Sequence, residues 1–128
     1  MYKYIFLLMI IAAPHLACCQ GGVESVPSTT FSKRIDKVKD AVVLDVRTPE
    51  EFREGHLSAA VNIDVDDDGF DKKVESLDRN KTYFVYCKAG VRSERAAKKM
   101  KEKGFKKVVS LKGGIEEWKD AGLPVEAE

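Results

Sequence analysis

The stretch YFVYCKAGVRSERAAKKM, residues 83–100, sets a thiol at a structural junction. An apolar run ends at Cys87, four residues follow, and Arg92 precedes a helix-like pattern that begins near Ser93. Successive backbone N–H groups of such a loop can turn inward and form an anion-binding concavity. The helix behind it adds unpaired N–H groups and the positive end of its dipole. Gly90 supplies the left-handed backbone that a tight curl needs, and Lys88 and Arg92 bring positive charge. Surroundings of this kind hold a cysteine thiol at roughly 3.5–7.5, against about 8.5 for a free one. The spacing therefore predicts a nucleophilic sulfur at Cys87, with the segment Lys88, Ala89, Gly90, Val91, Arg92 and Ser93 binding an anionic substrate. The same cradle suits a second sulfur carried on Cys87 as a persulfide anion. The plainer reading, a small buried hydrophobe at a strand end, does not explain why a glycine, an arginine and a helix start follow at these spacings.

Three further residues have types that could do chemistry. Asp45 and Arg47 flank the end of an earlier apolar run and read as an ion pair locking adjacent loops, with contact between Arg47 and substrate as the alternative. His56, in GHLSAA, admits a Cys–His pairing of the thiol-protease kind, but a loop that already ionises the thiol has no need of that base. His56 is therefore expected to be structural. The acidic DVDDDG segment, residues 64–69, lacks the spacing and closing glutamate of a calcium loop.

The elements that must position these residues can be read in order. A helical pattern runs through Phe31, Ile35 and Val38, with Ser28 or Thr29 as its cap. AVVLDV, residues 41–46, is an apolar, β-branched run suited to a buried parallel strand. In TPEEFREG, Thr48 caps a helix, Pro49 takes its first position, Glu50 and Glu51 favour its positive end, and Gly55 stops it. AAVNID, TYFVYC and KKVVSLK read as further strands, alternating with helices over DKKVESL, SERAAKKMKEK and IEEWKDAG. Such alternation predicts a three-layer α/β domain with a mainly parallel sheet. Right-handed crossovers then gather the strand-to-helix loops, Cys87 included, at the carboxyl edge.

The amino-terminal end differs in character. Lys3 followed by the apolar run Ile5–Ala13 has the make-up of a secretory signal and is short for a membrane span. Leu16-Ala17-Cys18-Cys19 resembles a bacterial lipobox, which implies lipidation at Cys19 or, by an alternative cut, at Cys18. The expected organisation is a leader over 1–19, a flexible tether over 20–30 and a folded domain over 31–128. On that reading the protein is exported and anchored to a membrane, and Cys87 is the one thiol of the folded domain. It then has no partner for a disulfide or a CxxC redox pair. With 22 basic and 21 acidic residues in 128, the charge balance gives no sign of a nucleic-acid partner.

Taken together, the motifs resemble the single-domain rhodaneses, which are sulfurtransferases. Cys87-x4-Arg92-Ser93 matches that family's active-site loop. LDVRTPEEFREGHLSAAVNI, residues 44–63, matches its early signature, and LKGGIEEWKDAGLPV, residues 111–125, its closing one. The likeness spans about Phe31 to Val125 and implies a five-stranded parallel sheet flanked by helices. That is one strand more than the pattern gives, with residues 26–30 or 64–70 left to supply it. It also implies a two-step exchange without metal or organic cofactor. Cys87 takes the outer sulfur of a small anionic donor, thiosulfate or polysulfide, and passes it to cyanide or a thiol. Arg92 would brace the loop or attract the donor, and Gly113, Gly114, Trp118, Gly122 and Pro124 would shape turns and packing.

Two rival readings use the same residues. Tyrosine-phosphatase-type enzymes also hold a cysteine in an anion-binding loop, but with five residues between Cys and Arg. Here there are four, which leaves a tighter cradle, and no general-acid loop is recognisable. A rhodanese-like module that only binds a partner is the other rival, and such modules commonly lack the cysteine.

Overall fold

The computed structural model describes residues 22–128. The expected leader and both lipidation candidates, Cys18 and Cys19, lie outside the described residues. Five strands and five helices follow in chain order: β1 Glu24–Val26, α1 Ser28–Lys37, β2 Ala41–Asp45, α2 Pro49–Glu54, β3 Val61–Asn62, α3 Phe70–Glu75, β4 Thr82–Tyr86, α4 Val91–Glu102, β5 Lys107–Leu111 and α5 Gly114–Asp120. The strands form one parallel sheet in the order β1-β5-β4-β2-β3. This is the α/β, three-layer architecture with a five-stranded sheet expected from the sequence.

The central strand β4 is buried along its whole length, which is why Thr82 to Tyr86 reads as a nearly unbroken apolar run. Its alternate side chains feed two cores. Tyr83, Val85 and Cys87 join Ala96, Ala97 and Met100 of α4 and Phe70 and Val74 of α3 on one face. Phe84 and Tyr86 join Phe31 of α1 and Ile115 and Trp118 of α5 on the other. Phe31 meets both Phe84 and Trp118 edge-to-face, with ring centroids 5.3 and 6.2 Å apart.

Three expectations need correction. Residues 24–30 are not a flexible tether: Glu24, Ser25 and Val26 pair in register with Val109, Ser110 and Leu111, and α1 begins at Ser28. β1 is thus the missing fifth strand, starting two residues before the nearer of the two segments suggested for it. It escaped notice because one of its three residues is buried and the other two are polar. At α1 the N-cap is Pro27, which makes no side-chain capping bond, rather than Ser28 or Thr29. Finally, α4 starts at Val91 rather than Ser93, so Val91 and Arg92 belong to its first turn.

Candidate active site

Cys87 follows β4 directly and is buried. Gly90, at φ 103°, turns the chain so that its N–H donates to Cys87 Sγ at 3.1 Å, and it becomes the N-cap of α4. Ser93 Oγ stands 3.5 Å from the sulfur and donates to the Gly90 carbonyl at 3.1 Å. A second buried hydroxyl, Ser110 Oγ on β5, lies 2.9 Å from Ser93 Oγ. The sulfur therefore faces one amide and one hydroxyl, and the hydroxyl is held from behind by the neighbouring strand. Charge placed on Sγ would be met by the Gly90 N–H as it stands, and by the Ser93 hydroxyl once its proton turns from the Gly90 carbonyl to the sulfur.

The closing segment braces this loop from outside. The amides of Ile115 and Glu116, in the first turn of α5, donate to the carbonyls of Cys87 and Lys88 at 2.9 and 3.2 Å. The fit is tight enough to require glycine at position 114. Its φ is 62°, and a Cβ there would overlap the backbone of Lys88 and Ala89. LKGG is thus a wedge against the cysteine loop, a role that composition alone does not reveal.

The expected loop residues do unequal things. Gly90 and Ser93 touch the sulfur, whereas Ala89 and Val91 are exposed, Val91 to 77%. Lys88 projects outward and meets Glu116 at 3.7 Å, both side chains being more than half exposed. Arg92 turns away to α2, where its two terminal nitrogens donate to the two carboxylate oxygens of Glu51 at 2.7 and 2.9 Å. Glu51 is held well below its ordinary 4.5, to about 2, chiefly by the hydrogen bonds from Arg92. Those bonds likewise raise Arg92. Of the two roles open to Arg92, this geometry is that of the brace.

Asp45 and Arg47 form the buried lock expected of them. Arg47 donates to both carboxylate oxygens of Asp45 through Nε and Nη2, and Nη2 also reaches the Gly55 carbonyl at 2.6 Å. Tyr86, adjacent to Cys87, donates its hydroxyl to Asp45 at 2.6 Å and accepts the Leu57 N–H at 3.1 Å. Burial, then the neighbouring Asp45 carboxylate, push the Tyr86 phenol far above its usual range. Burial pulls the Arg47 guanidinium down, but its bonds to Asp45 outweigh that and leave it raised. His56 stacks on Phe52 with ring centroids 4.1 Å apart and turns Nδ1 to the Leu57 carbonyl. Its backbone pairs with Glu126. Those contacts tie down the segment between α2 and β3 and agree with a structural role. Among the described residues no three His, Cys, Asp or Glu side chains cluster as metal ligands would.

A cysteine after the central strand, hydrogen-bonded by a Gly90 turn that opens a helix and wedged by LKGG, is the arrangement the motifs foreshadowed. The rhodanese-like domain family matches residues 28–121. The chain belongs to that family. A sulfurtransferase of Allochromatium vinosum is 28% identical over 105 residues, covering 82% of this chain and 96% of that protein. YrkF of Bacillus subtilis is 31% identical over 96 residues; the match covers 75% of this chain and 51% of YrkF, so the chain spans about half the length of that relative. Among solved structures, a rhodanese-related protein from Thermoplasma volcanium superposes with a TM-score of 0.72 at 32% identity, covering 82% of this chain and 99% of its own.

Within this rhodanese-like site, three contributors were missed by sequence reasoning. Ser110 looks like any small residue in a buried strand, and its pairing with Ser93 needs the β4–β5 register. Tyr86 reads as one more apolar residue of β4. Glu51 was recognised only as a helix-favouring acid, although its place in the first turn of a Pro-started helix at the carboxyl edge was a usable signal.

Proposed function

We propose that this rhodanese-like protein is a sulfurtransferase that carries a sulfane sulfur on Cys87. In the first half-reaction the Cys87 thiolate attacks the outer sulfur of a donor such as thiosulfate or a polysulfide. An S–S bond forms on Sγ, the donor's own bond to that sulfur breaks, and sulfite or the shortened polysulfide leaves with the electron pair. In the second, cyanide or a thiolate attacks the outer sulfur of the Cys87 persulfide and returns the thiolate. The observation that carries this reading is the Gly90 N–H donated to Sγ at 3.1 Å, with the Ser93 hydroxyl oxygen 3.5 Å away, in a loop fixed by α5. Membership of a family with sulfurtransferase relatives supports it. The test is delivery of sulfur to cyanide, read as thiocyanate. The protein is expected to turn over with initial-rate plots of the ping-pong form, and Cys87→Ser to give none. Absence of thiocyanate from several sulfane donors would leave the partner-binding reading in its place.

The leader carries a separate proposal of place: export, with lipidation at Cys19 or Cys18. Incorporation of labelled fatty acid into the wild type and its loss in Cys19→Ala support Cys19, and loss only in Cys18→Ala supports the alternative. An unlabelled protein refutes the anchor.

A further inference from the structure

The charges around the site constrain which donor it can favour, and this step rests on the sulfurtransferase reading above. Thiosulfate brings two negative charges toward a thiolate that carries a third. An efficient thiosulfate site therefore needs unopposed positive charge near Sγ to offset the repulsion. Of the cations around the loop, Arg92, Arg47 and Lys88 are each engaged by a carboxylate. Arg92, in the first turn of α4 just after the loop, has both terminal nitrogens engaged by Glu51, in a pair whose side chains are only 23% and 27% exposed. Arg47 is spent on buried Asp45 and the Gly55 carbonyl. Lys88 has Glu116 at 3.7 Å and is otherwise screened by water, its side chain being 62% exposed. The cavity of about 270 Å³ beside the loop repeats this balance, its ionisable lining being Arg47, Lys88 and Lys119 against Glu51, Glu54 and Glu116. The amino end of α4 adds Glu94 in its first turn.

We infer that Glu51, by neutralising Arg92, sets the donor class of this site: sulfane donors bearing at most one negative charge, such as alkyl persulfides, over the thiosulfate dianion. The exchange balances without an added oxidant or reductant. Cys87 thiolate forms a bond to the terminal sulfur of an alkyl persulfide, the S–S bond of the donor breaks, and the alkyl thiolate departs with the bonding pair. Two sulfur-bound anions are never forced to carry three charges between them, as they are with thiosulfate. The Gly90 amide acts on Sγ itself and requires no charged donor.

The test compares loading of Cys87 by thiosulfate and by the persulfide of 2-mercaptoethanol, in wild type and in Glu51→Gln. The glutamine keeps the shape and can still accept from Arg92, but it leaves the guanidinium charge unopposed. Wild type is expected to show the higher kcat/KM with the persulfide. In the variant the thiosulfate-to-persulfide ratio of kcat/KM should rise about tenfold or more, the scale set by one fixed charge facing a dianion across a few ångströms of wet protein. That gain should shrink as salt is raised. A wild type that loads from thiosulfate at least as well as from the persulfide overturns the inference, as does an unchanged ratio in the variant. If neither donor loads Cys87, the sulfurtransferase reading itself falls, an outcome distinct from the other two. Should Glu51→Gln fold poorly, Glu116→Gln and Glu54→Gln, which unbalance the same cavity from its exposed side, must each shift the ratio in the same direction by a smaller factor; no shift in either counts against the proposal.

Discussion

Two arginine–carboxylate pairs sit at the same edge of the sheet and do opposite kinds of work. Arg47 and Asp45 are 6% and 0% exposed, multiply bonded, and stitched by Tyr86 and the Gly55 carbonyl into the ends of β2 and β4. Arg92 and Glu51 are each about a quarter exposed and join α4 to α2 through one two-pronged contact. The first pair is surrounded by protein, so its charges have nowhere else to go and either one alone would be stranded. The second touches solvent, so its charges can be rebalanced at modest cost. Depth therefore separates an ion pair that holds the fold from one that tunes the site.

Removing charge from each pair breaks or sharpens that contrast. The largest effect is expected for Asp45→Asn, which strands a buried guanidinium and weakens the acceptor of Tyr86. It should cost about 3–5 kcal/mol of stability in denaturant unfolding, and a cost below about 1 kcal/mol would place the pair with ordinary surface bridges.

Glu51→Gln should be milder and visible in its pH dependence. Because the folded value of Glu51 is depressed from 4.5 to about 2, its contribution is present above pH 4.5 and is lost as the pH falls toward 2. The difference in stability between wild type and Glu51→Gln should thus shrink by about 2 kcal/mol on going from pH 5 to pH 2, allowing for solvent around a partly exposed pair. A difference that stays flat over that window contradicts the pairing. The smallest effect is expected for Ser110→Ala, which removes the hydroxyl behind Ser93 at a cost of about 1 kcal/mol. It should nevertheless slow sulfur loading of Cys87 severalfold, and unchanged loading would show that Ser93 needs no support from β5.

The same contrast explains what could be read in advance. The α/β layers were legible because β2, β4 and β5 are apolar, β-branched runs and because Thr48, Pro49 and Gly55 mark the bounds of α2. Cys87 was legible because a thiol, a glycine and an arginine fell at fixed offsets along one segment. Asp45 and Arg47 are two residues apart, and their pairing followed from that nearness. Glu51 and Arg92 lie 41 residues apart, so their contact depends on two helices reaching the same edge. Ser93 and Ser110 meet only through strand register, and β1 carries too few apolar residues to announce itself. Local chemistry was visible in the chain, whereas what the fold brings together across distant segments was not.

The central claim is that Cys87 carries sulfur between two partners, and intact mass of the folded protein after exposure to a sulfane donor tests it most directly. Wild type is expected to gain the mass of one sulfur atom and to lose it again on addition of cyanide, while Cys87→Ser gains none. A wild-type mass that stays unchanged with thiosulfate, polysulfide and alkyl persulfide alike would contradict the account.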